Sequence, residues 1–526
     1  MFSETLLTIV TVCAAVPAVV VDYRKTWTSR GDKLPDFSYA GYRQSEFSLP
    51  ASNRPAIITI SPGTGDMSST IQRALDQVSQ SGGGVVQLAT GTYTLSAGLL
   101  VQNGTTLRGS GVDNTIILVN SLYENSITLG QPNLREQRGK ATNITDFYVP
   151  FGTDTINVLD TSRLRVGKEV YVERGVTQDW IDVMGMTAQR KADGAPRDFT
   201  WIDPGKLVQQ PRRVKFINGK TITLNIPLTD SLDGTSGLMN PIQLTPYTPP
   251  VQPSEMGIEN LSMRVEPSCS GRSLNDPSCA SSAIRISSWA TDSWVRNIDL
   301  TGFNHGIDIM RSASRITITS VVMNRYGPTD NTAGYAIDVA IDGTQVLVHN
   351  VSNRGDGKSW SVATESLTPG PNVCIGYETQ QSIENIGIEP HQRYAHGFLN
   401  EGSRTVSVIY RNRGNAGTGH GWTMANGIID KDLPIKQQYS ANTLSGVSWN
   451  SNSRSVTMQD PPLGQNYCFG CIGPNSRKAG YETNSTGIYG AYVSPSSLFK
   501  AQLRDRGFEI LLGSAVLSSR EENCMA

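Results

Sequence analysis

The chain has 526 residues, with 45 basic and 46 acidic side chains and a formal net charge of −1. No basic block is present, which argues against a nucleic-acid partner and against an anionic membrane surface. Its 51 glycines and many Asn, Ser and Thr suit a turn-dense β protein, and a solenoid of this length can be one domain, because each rung touches only its neighbours.

Residues 1–18, MFSETLLTIVTVCAAVPA, read as a signal peptide, with Leu6–Val16 as the apolar run and Val16-Pro17-Ala18 as the cleavage site. Apolar residues continue to Val21, so a membrane anchor is the alternative; Pro17 and the modest length oppose it. A secreted, extracellular protein is expected. Five sequons, at Asn103, Asn143, Asn260, Asn350 and Asn484, agree with a glycoprotein. Of seven cysteines, Cys13 leaves with the signal. Cys269 and Cys279 flank a polar loop and are expected to form a disulfide. Cys468 and Cys471, in NYCFGCIG, could form a tight one, and Cys374 and Cys524 have no evident partner.

A polar lead-in over residues 19–60 contains LPDFSYAGYR (Leu34–Arg43), whose aromatics and prolines predict an arm laid along a surface. A helix follows, with Ile71, Ala74, Leu75 and Val78 at helical spacing and Ser68 or Ser69 as N-cap; Gly82, Gly83 and Gly84 end it. Then come four short β-rich runs, VVQL, TYTL, LLV and TLRG, each set off by Gly or Asn. A helix before evenly spaced strands can cap the open end of a solenoid.

That order of helix, GGGVVQL, GTYTL and GTTLRGSG closely resembles the N-terminal cap and first rungs of the pectate-lyase-like superfamily. The resemblance implies a right-handed parallel β-helix and a secreted enzyme that cleaves acidic polysaccharide. It is specific for the fold and not for the reaction.

Between about residues 131 and 250 the rung pattern breaks, and the runs TINVL, EVYVER, RVKFI and TITLNIPL predict an inserted small β-barrel or sandwich. Trp180, Met184, Met186 and Trp201 fill its core on one reading and form a sugar-stacking face on another; the core is favoured. Residues 251–526 return to rungs and end in a helix over Ser497–Arg506. Self-alignment sets HGIDI at His305, YAIDV at Tyr335, KSWSV at Lys358, HGFLN at His396 and HGWTM at His420 in one register. It therefore predicts two ladders of side chains. One is His305, Tyr335, Lys358, His396 and His420. The other contains Asp308 and Asp338, which strand alternation turns outward on adjacent rungs.

All five histidines fall between positions 305 and 420. EPHQRYAHG (Glu389–Gly397) places His391, Arg393 and His396 within six residues, and RNRGNAGTGHGW (Arg411–Trp422) adds Arg411, Arg413 and His420. Such groups bind carboxylates and move protons, although each could instead cap a turn or pair with a surface acid. His349 reads as structural. EPHQRYAHG, RGNAGTGHGW, QNYCFGCIG and SPSSLFKAQLRDRG also look like a branch of pectate-lyase-like secreted proteins with a PDFSYAGY arm and an inserted β module. That resemblance assigns no catalytic residues.

Two reactions compete. In β-elimination a base removes the C5 proton of a uronic acid whose carboxylate is neutralised. The expected catalytic set is His391, Arg393, His396, His420 and Lys358, with Arg411, Arg413, Asp308, Asp338, Tyr335 and His305 binding substrate. In hydrolysis two carboxylates act, here Asp308 and Asp338. The β-helical polygalacturonases carry N-T-D, D-D, G-H-G and R-I-K motifs. Only GHG, Gly419–Gly421, is present, so elimination is favoured. Asp308 with Asp338 could hold one calcium at most, and no other cofactor is implied. The expected protein is a monomeric polysaccharide lyase; a hydrolase or a non-catalytic glycan-binding β-helix are the alternatives.

Overall fold

The protein is described here from a computed structural model. It describes residues 18–120, 124–187, 200–234, 237–269, 276, 279, 282–325, 336–355, 359–379, 387–405, 407–425, 428–429, 448–449, 455–458, 461, 463, 465–471, 486–489 and 492–509. The proposed signal peptide, Tyr335, Lys358 and Cys524 lie outside the described residues, as do the side chains of Cys468 and Cys471.

Two long ladders of parallel strands run through most of the chain. One contains Gly84–Leu88, Thr105–Arg108, Gly257–Glu266, Thr291–Thr301, Ser314–Arg325, Thr344–Gly355, Asn372–Ile375 and Phe398–Glu401. The other stacks Leu99–Val101, Ile127–Leu129, Ser282–Ile286, His305–Ile309, Ala336–Ile341 and Ser359–Thr364. Successive strands of the chain alternate between the two, and parallel crossovers of this kind are right-handed. This is a right-handed parallel β-helix. Its interior is one apolar column, in which Leu107, Ile258, Val295, Ile318 and Val348 stack on successive rungs.

A column of left-handed residues shapes the rungs. Asn260, Asn297, Ser320 and Asn350 have φ of 60°, 52°, 55° and 52°. They occupy equivalent places in four long strands, because Glu259 pairs with Arg296, Arg296 with Thr319 and Thr319 with His349. A left-handed residue inside a strand breaks the pleat, so each strand turns there and serves two faces. Asparagine tolerates that conformation better than most residues, and Asn297 Nδ2 donates to Asn260 Oδ1 at 2.9 Å. A second column, Glu255, Asp292, Arg315 and Gln345, has φ of 56°, 43°, 58° and 56°.

The N-terminal end is closed by helix α1, Ser68–Gln80, which buries Ile71, Ala74, Leu75 and Val78. Neither Ser68 nor Ser69 caps it. Asp66 does that work, accepting from Ser68 N at 3.0 Å and from the Ser68 hydroxyl. An aspartate one residue further out brings its own negative charge to the helix N-terminus.

The arm crosses the rungs from the far end. Val19–Val20 pairs with Val493–Ser494 beside helix α2, Leu498–Asp505, which Ser497 caps. Arg506 lies 3.7 Å from the Tyr39 ring, donates to Ser38 O and Gln44 O, and pairs with Glu46. Beyond that clamp the arm follows the second left-handed column. Gly41 N donates to Gln345 O at 2.8 Å, Arg43 N to Asp292 Oδ1 at 3.1 Å, and the Arg43 guanidinium pairs with Glu255 at 2.7 Å.

Antiparallel strands between Gln137 and Thr248 form a separate sheet with its own core. The stack ignores this insertion: Thr106 pairs directly with Gly257. Trp180 and Trp201 stack at 5.1 Å inside that core, with Met184 and Met186 beside them, so these residues are packing and not a sugar platform. Cys269 and Cys279 form the expected disulfide, with Cα atoms 5.5 Å apart.

The left-handed column yields a stability test. Asn297 is exposed, so Asn297→Gly removes little beyond one hydrogen bond, a cost of about 1 kcal/mol. Asn297→Val adds the left-handed penalty, roughly 1–2 kcal/mol more. Equal unfolding midpoints in denaturant for the two variants would show that the bend is not conformationally strained.

Candidate active site

The strand register corrects both predicted side-chain ladders. His305 pairs with Ile337 and Asp308 with Ala340, so the YAIDV segment sits two residues away from the self-alignment. A shift of two preserves alternation, which is why the apolar pattern could not reveal it. His396 pairs with Ala425, and His420 lies on the preceding loop.

Asp308 faces outward, its side chain 18 % exposed, taking hydrogen bonds from Ser282 Oγ and from Arg285 at 3.2 Å. Asp338 does not face outward. It is fully buried and paired with Arg325 Nε at 2.6 Å, with Asn353, Ser359 and the Tyr377 hydroxyl around it. Its rung neighbour is Gly306, and a Cβ there would come within 2.4 Å of Asp338 O. The two aspartates therefore form neither a hydrolytic pair nor a calcium site. Among the described residues no group of three or more His, Cys, Asp or Glu could hold a metal ion.

The H-G dipeptides at 396 and 420 serve the inserted module. A Cβ on Gly397 would lie 2.4 Å from Thr229 Cβ, and one on Gly421 would lie 2.4 Å from the Trp201 ring. Both glycines have positive φ, 69° and 53°, and let the module sit directly on the rungs. His396 is buried beneath it, with Nδ1 2.9 Å from Thr229 Oγ1. Trp201 Nε1 donates to His420 O at 3.1 Å, and Trp422 Nε1 to Met184 O at 2.8 Å. Arg393 joins the same seam, donating to Trp201 O at 2.6 Å and to Thr418 O at 2.6 Å, with Gln392 beside it. Burial lowers its pKa, and among the described residues no carboxylate is bonded to it.

One partly exposed cluster remains. Glu365 follows the strand Ser359–Thr364 and is held there by Glu365 N donating to Ile341 O at 2.9 Å. His391 lies one rung on, its own N–H donating to Thr364 O at 2.8 Å. Its Nδ1 stands 3.1 and 3.2 Å from the two Glu365 oxygens. Their side chains are 29 % and 27 % exposed. Burial works to raise the Glu365 carboxyl, but the bonds from His391 and Gln392 and the charge of Arg311 bring it below the usual range.

Around this pair, the His420 ring stands edge-on to His391 at 4.7 Å and Trp360 lies 6.4 Å away. Arg413 lies over Trp360 at 4.7 Å and donates to His391 O at 2.8 Å. Glu389 is buried and accepts from Arg411 Nε at 3.0 Å, with Arg413 Nε at 3.5 Å. Arg411 is the outermost of these groups, 40 % exposed, and its terminal nitrogens have no protein partner among the described residues. His305 stands on the same ladder as Trp360, through Ile337; burial lowers its pKa. His349 lies 3.2 Å from Thr319 Oγ1 on the neighbouring strand.

His391, His420, Arg411 and Arg413 thus come together, Arg393 stands at their edge, and His396, Asp308 and Asp338 do not join them. Glu365, Glu389 and Trp360 complete the cluster and were not foreseen. Glu389 stood at the head of the EPHQRYAHG motif, and Glu365 could have been found only from the true rung register.

No protein-family model matches the chain, and no curated protein does. Among solved structures, the tailspike of Acinetobacter baumannii bacteriophage AP22, in complex with a capsular saccharide, aligns at TM-score 0.30 and 11 % identity, over 82 % of this chain and 71 % of that one. A tailspike of E. coli bacteriophage HK620, in complex with a pentasaccharide, aligns at 0.36 and 10 %, over 82 % of this chain and 60 % of its own. The A-module of the Azotobacter vinelandii mannuronan C-5 epimerase AlgE6 aligns at 0.30 and 9 %, over 83 % and 97 %. The fold assignment rests on the strand registers above and not on these likenesses.

The buried His396 sets a pH dependence. Burial holds its pKa near 4, against 6.5 in the unfolded chain. A depressed folded pKa means that the stability is complete above pH 6.5 and is lost as pH falls toward 4. The span corresponds to about 3 kcal/mol at most. His396→Gln should flatten the decline of unfolding free energy between those limits; an unchanged slope would place the His396 ring in contact with water.

Proposed function

We propose that the protein cleaves an acidic polysaccharide by β-elimination, with His391 as base, Glu365 as the group that positions it, and Arg411 as the anchor for the uronate carboxylate. The observation that carries this reading is the Glu365–His391 pair, partly open to solvent beside Arg411, whose terminal nitrogens have no protein partner among the described residues. A carboxylate on Nδ1 favours the tautomer with the proton there, which leaves the Nε2 lone pair as proton acceptor.

The step balances without a cofactor. His391 Nε2 takes the C5 proton, the C4–C5 double bond forms, the C4–O bond breaks, and the leaving oxygen takes a proton from water. The C5 proton is acidic only if negative charge on the uronate is offset. Glu389 is shared by Arg411 and Arg413, which leaves one positive charge among the three groups. The planar terminus of Arg411 matches a carboxylate in two hydrogen bonds. His420 and Trp360 wall the base. Arg393 and His396, expected in the catalytic set, act on this reading by seating the module against the rungs.

Hydrolysis keeps one specific support, in a different pair from the one expected. Asp342 and Glu365 stand on adjacent rungs, through the pairing of Ile341 with Thr364. Burial raises the Asp342 carboxyl, only partly offset by Arg311, whereas Glu365 is lowered. Carboxyls pushed in opposite directions are what an acid and a base require.

Assays on uronate-containing polymers separate the two. Elimination predicts absorbance of an unsaturated product, a loss of about 10²–10⁴ in kcat for His391→Ala, and a loss of about 10²–10³ for Arg411→Ala. Asp342→Asn should leave elimination within about threefold. New reducing ends without unsaturated product, abolished in Asp342→Asn, would transfer the assignment to the carboxylate pair. If His391→Ala retained full turnover, His391 could not be the base and the elimination reading would fail.

A further inference from the structure

A cavity of about 740 Å³ opens between the arm, the inserted module and the rung turns. That volume is within the range of small-molecule sites. Its floor is rigid: Tyr171 and Tyr247 stack at 4.2 Å and Trp289 packs 6.0 Å from Tyr247. Its rim carries Phe47, 58 % exposed.

Four of the five arginines in its lining are paired with carboxylates. Arg43 joins Glu255 at 2.7 Å and Arg213 joins Glu169 at 2.7 Å. Arg311 joins Asp342 at 3.0 Å and Arg315 joins Asp292 at 2.7 Å. The fifth arginine, Arg212, is 2 % exposed and committed to the carbonyl oxygens of Ile226, Pro227, Pro211 and Gly370. Each positive charge of the lining thus stands beside a carboxylate or among carbonyl oxygens, and the groove offers no field of one sign. It offers forked donors fixed beside acceptors, the arrangement that meets the vicinal hydroxyls of an uncharged sugar. The exposed Phe47 ring adds an apolar face of the kind a pyranose covers.

The groove borders the segment that carries Glu365: Asp342 and Leu367 line it. Arg311, in its wall, donates to Ser366 O at 2.6 Å, one residue from Glu365. We infer that this groove binds a run of neutral sugar residues, so that the substrate is a heteropolysaccharide in which uncharged sugars accompany the uronate at the point of cleavage. This deepens the proposed function and rests on it for the word substrate; the binding claim itself does not depend on turnover.

The test uses full-length His391→Ala protein and calorimetric titration with neutral hexaoses of the gluco, galacto, manno, xylo and arabino series. At least one should bind with Kd below about 1 mM. Binding should weaken about tenfold or more on adding Phe47→Ala or Arg213→Gln, both at exposed positions that leave the core intact. In the otherwise unmodified protein the same two changes should raise KM on polymer at constant kcat. Binding to none of the five hexaoses, or binding indifferent to both substitutions, overturns the inference even if the polymer is cleaved. Binding as expected with no turnover on any uronate polymer overturns the proposed reaction and leaves the groove standing as a neutral-glycan site.

Discussion

The column of left-handed residues at Asn260, Asn297, Ser320 and Asn350 is the constraint from which the rest of the molecule follows. Rungs can stack in parallel only if every rung turns at the same place. A turn displaced by one residue would rotate the whole apolar set of that strand away from the column of Leu107, Ile258, Val295 and Ile318. The second column, Glu255, Asp292, Arg315 and Gln345, extends the same discipline to the surface. Its side chains are polar and regularly spaced, and the arm binds to them in order.

Because stacking depends on rung-to-rung pairing alone, a turn can carry a large detour without penalty to the stack. The inserted module occupies one such detour, and two glycines and a buried histidine on later rungs are shaped to receive it. The candidate active site lies where that seam ends. Glu365 and His391 are fixed by backbone hydrogen bonds to adjacent rungs, Glu365 to Ile341 and His391 to Thr364, and are positioned by the solenoid rather than by loop flexibility.

Much of this architecture could be read from the chain. The cap helix, the short strands after it, the interruption near residue 131, the final helix and the Cys269–Cys279 bond each depend on local patterns of apolar residues, glycines and cysteines. Register could not be read in the same way. Sliding YAIDV by two residues against HGIDI preserves every inward and outward assignment, so apolar periodicity is blind to it. The error set Asp338 level with Asp308 instead of with Gly306. Glu365 was concealed at a different step, the alignment of Lys358 with His396, because the next rung brings His391 beside Thr364. The H-G repeats looked chemical because histidine is scarce in the chain; at 396 and 420 the physical need is for glycine, beneath Thr229 and Trp201.

The arm ties together parts of the chain that are far apart in time as well as in sequence. Val19, Phe37, Ser38 and Glu46 find their partners at Val493, Gln502 and Arg506, which leave the ribosome more than 400 residues after them. Rungs can form one upon another as they emerge, but residues 19–38 of the arm have no such partner until the segment around Val493–Arg506 has been made. Docking of the arm's first residues therefore follows the stacking of the rungs. Until the arm lies over them, the glutamate, aspartate and glutamine of the second column face solvent, available to whatever else the nascent chain encounters.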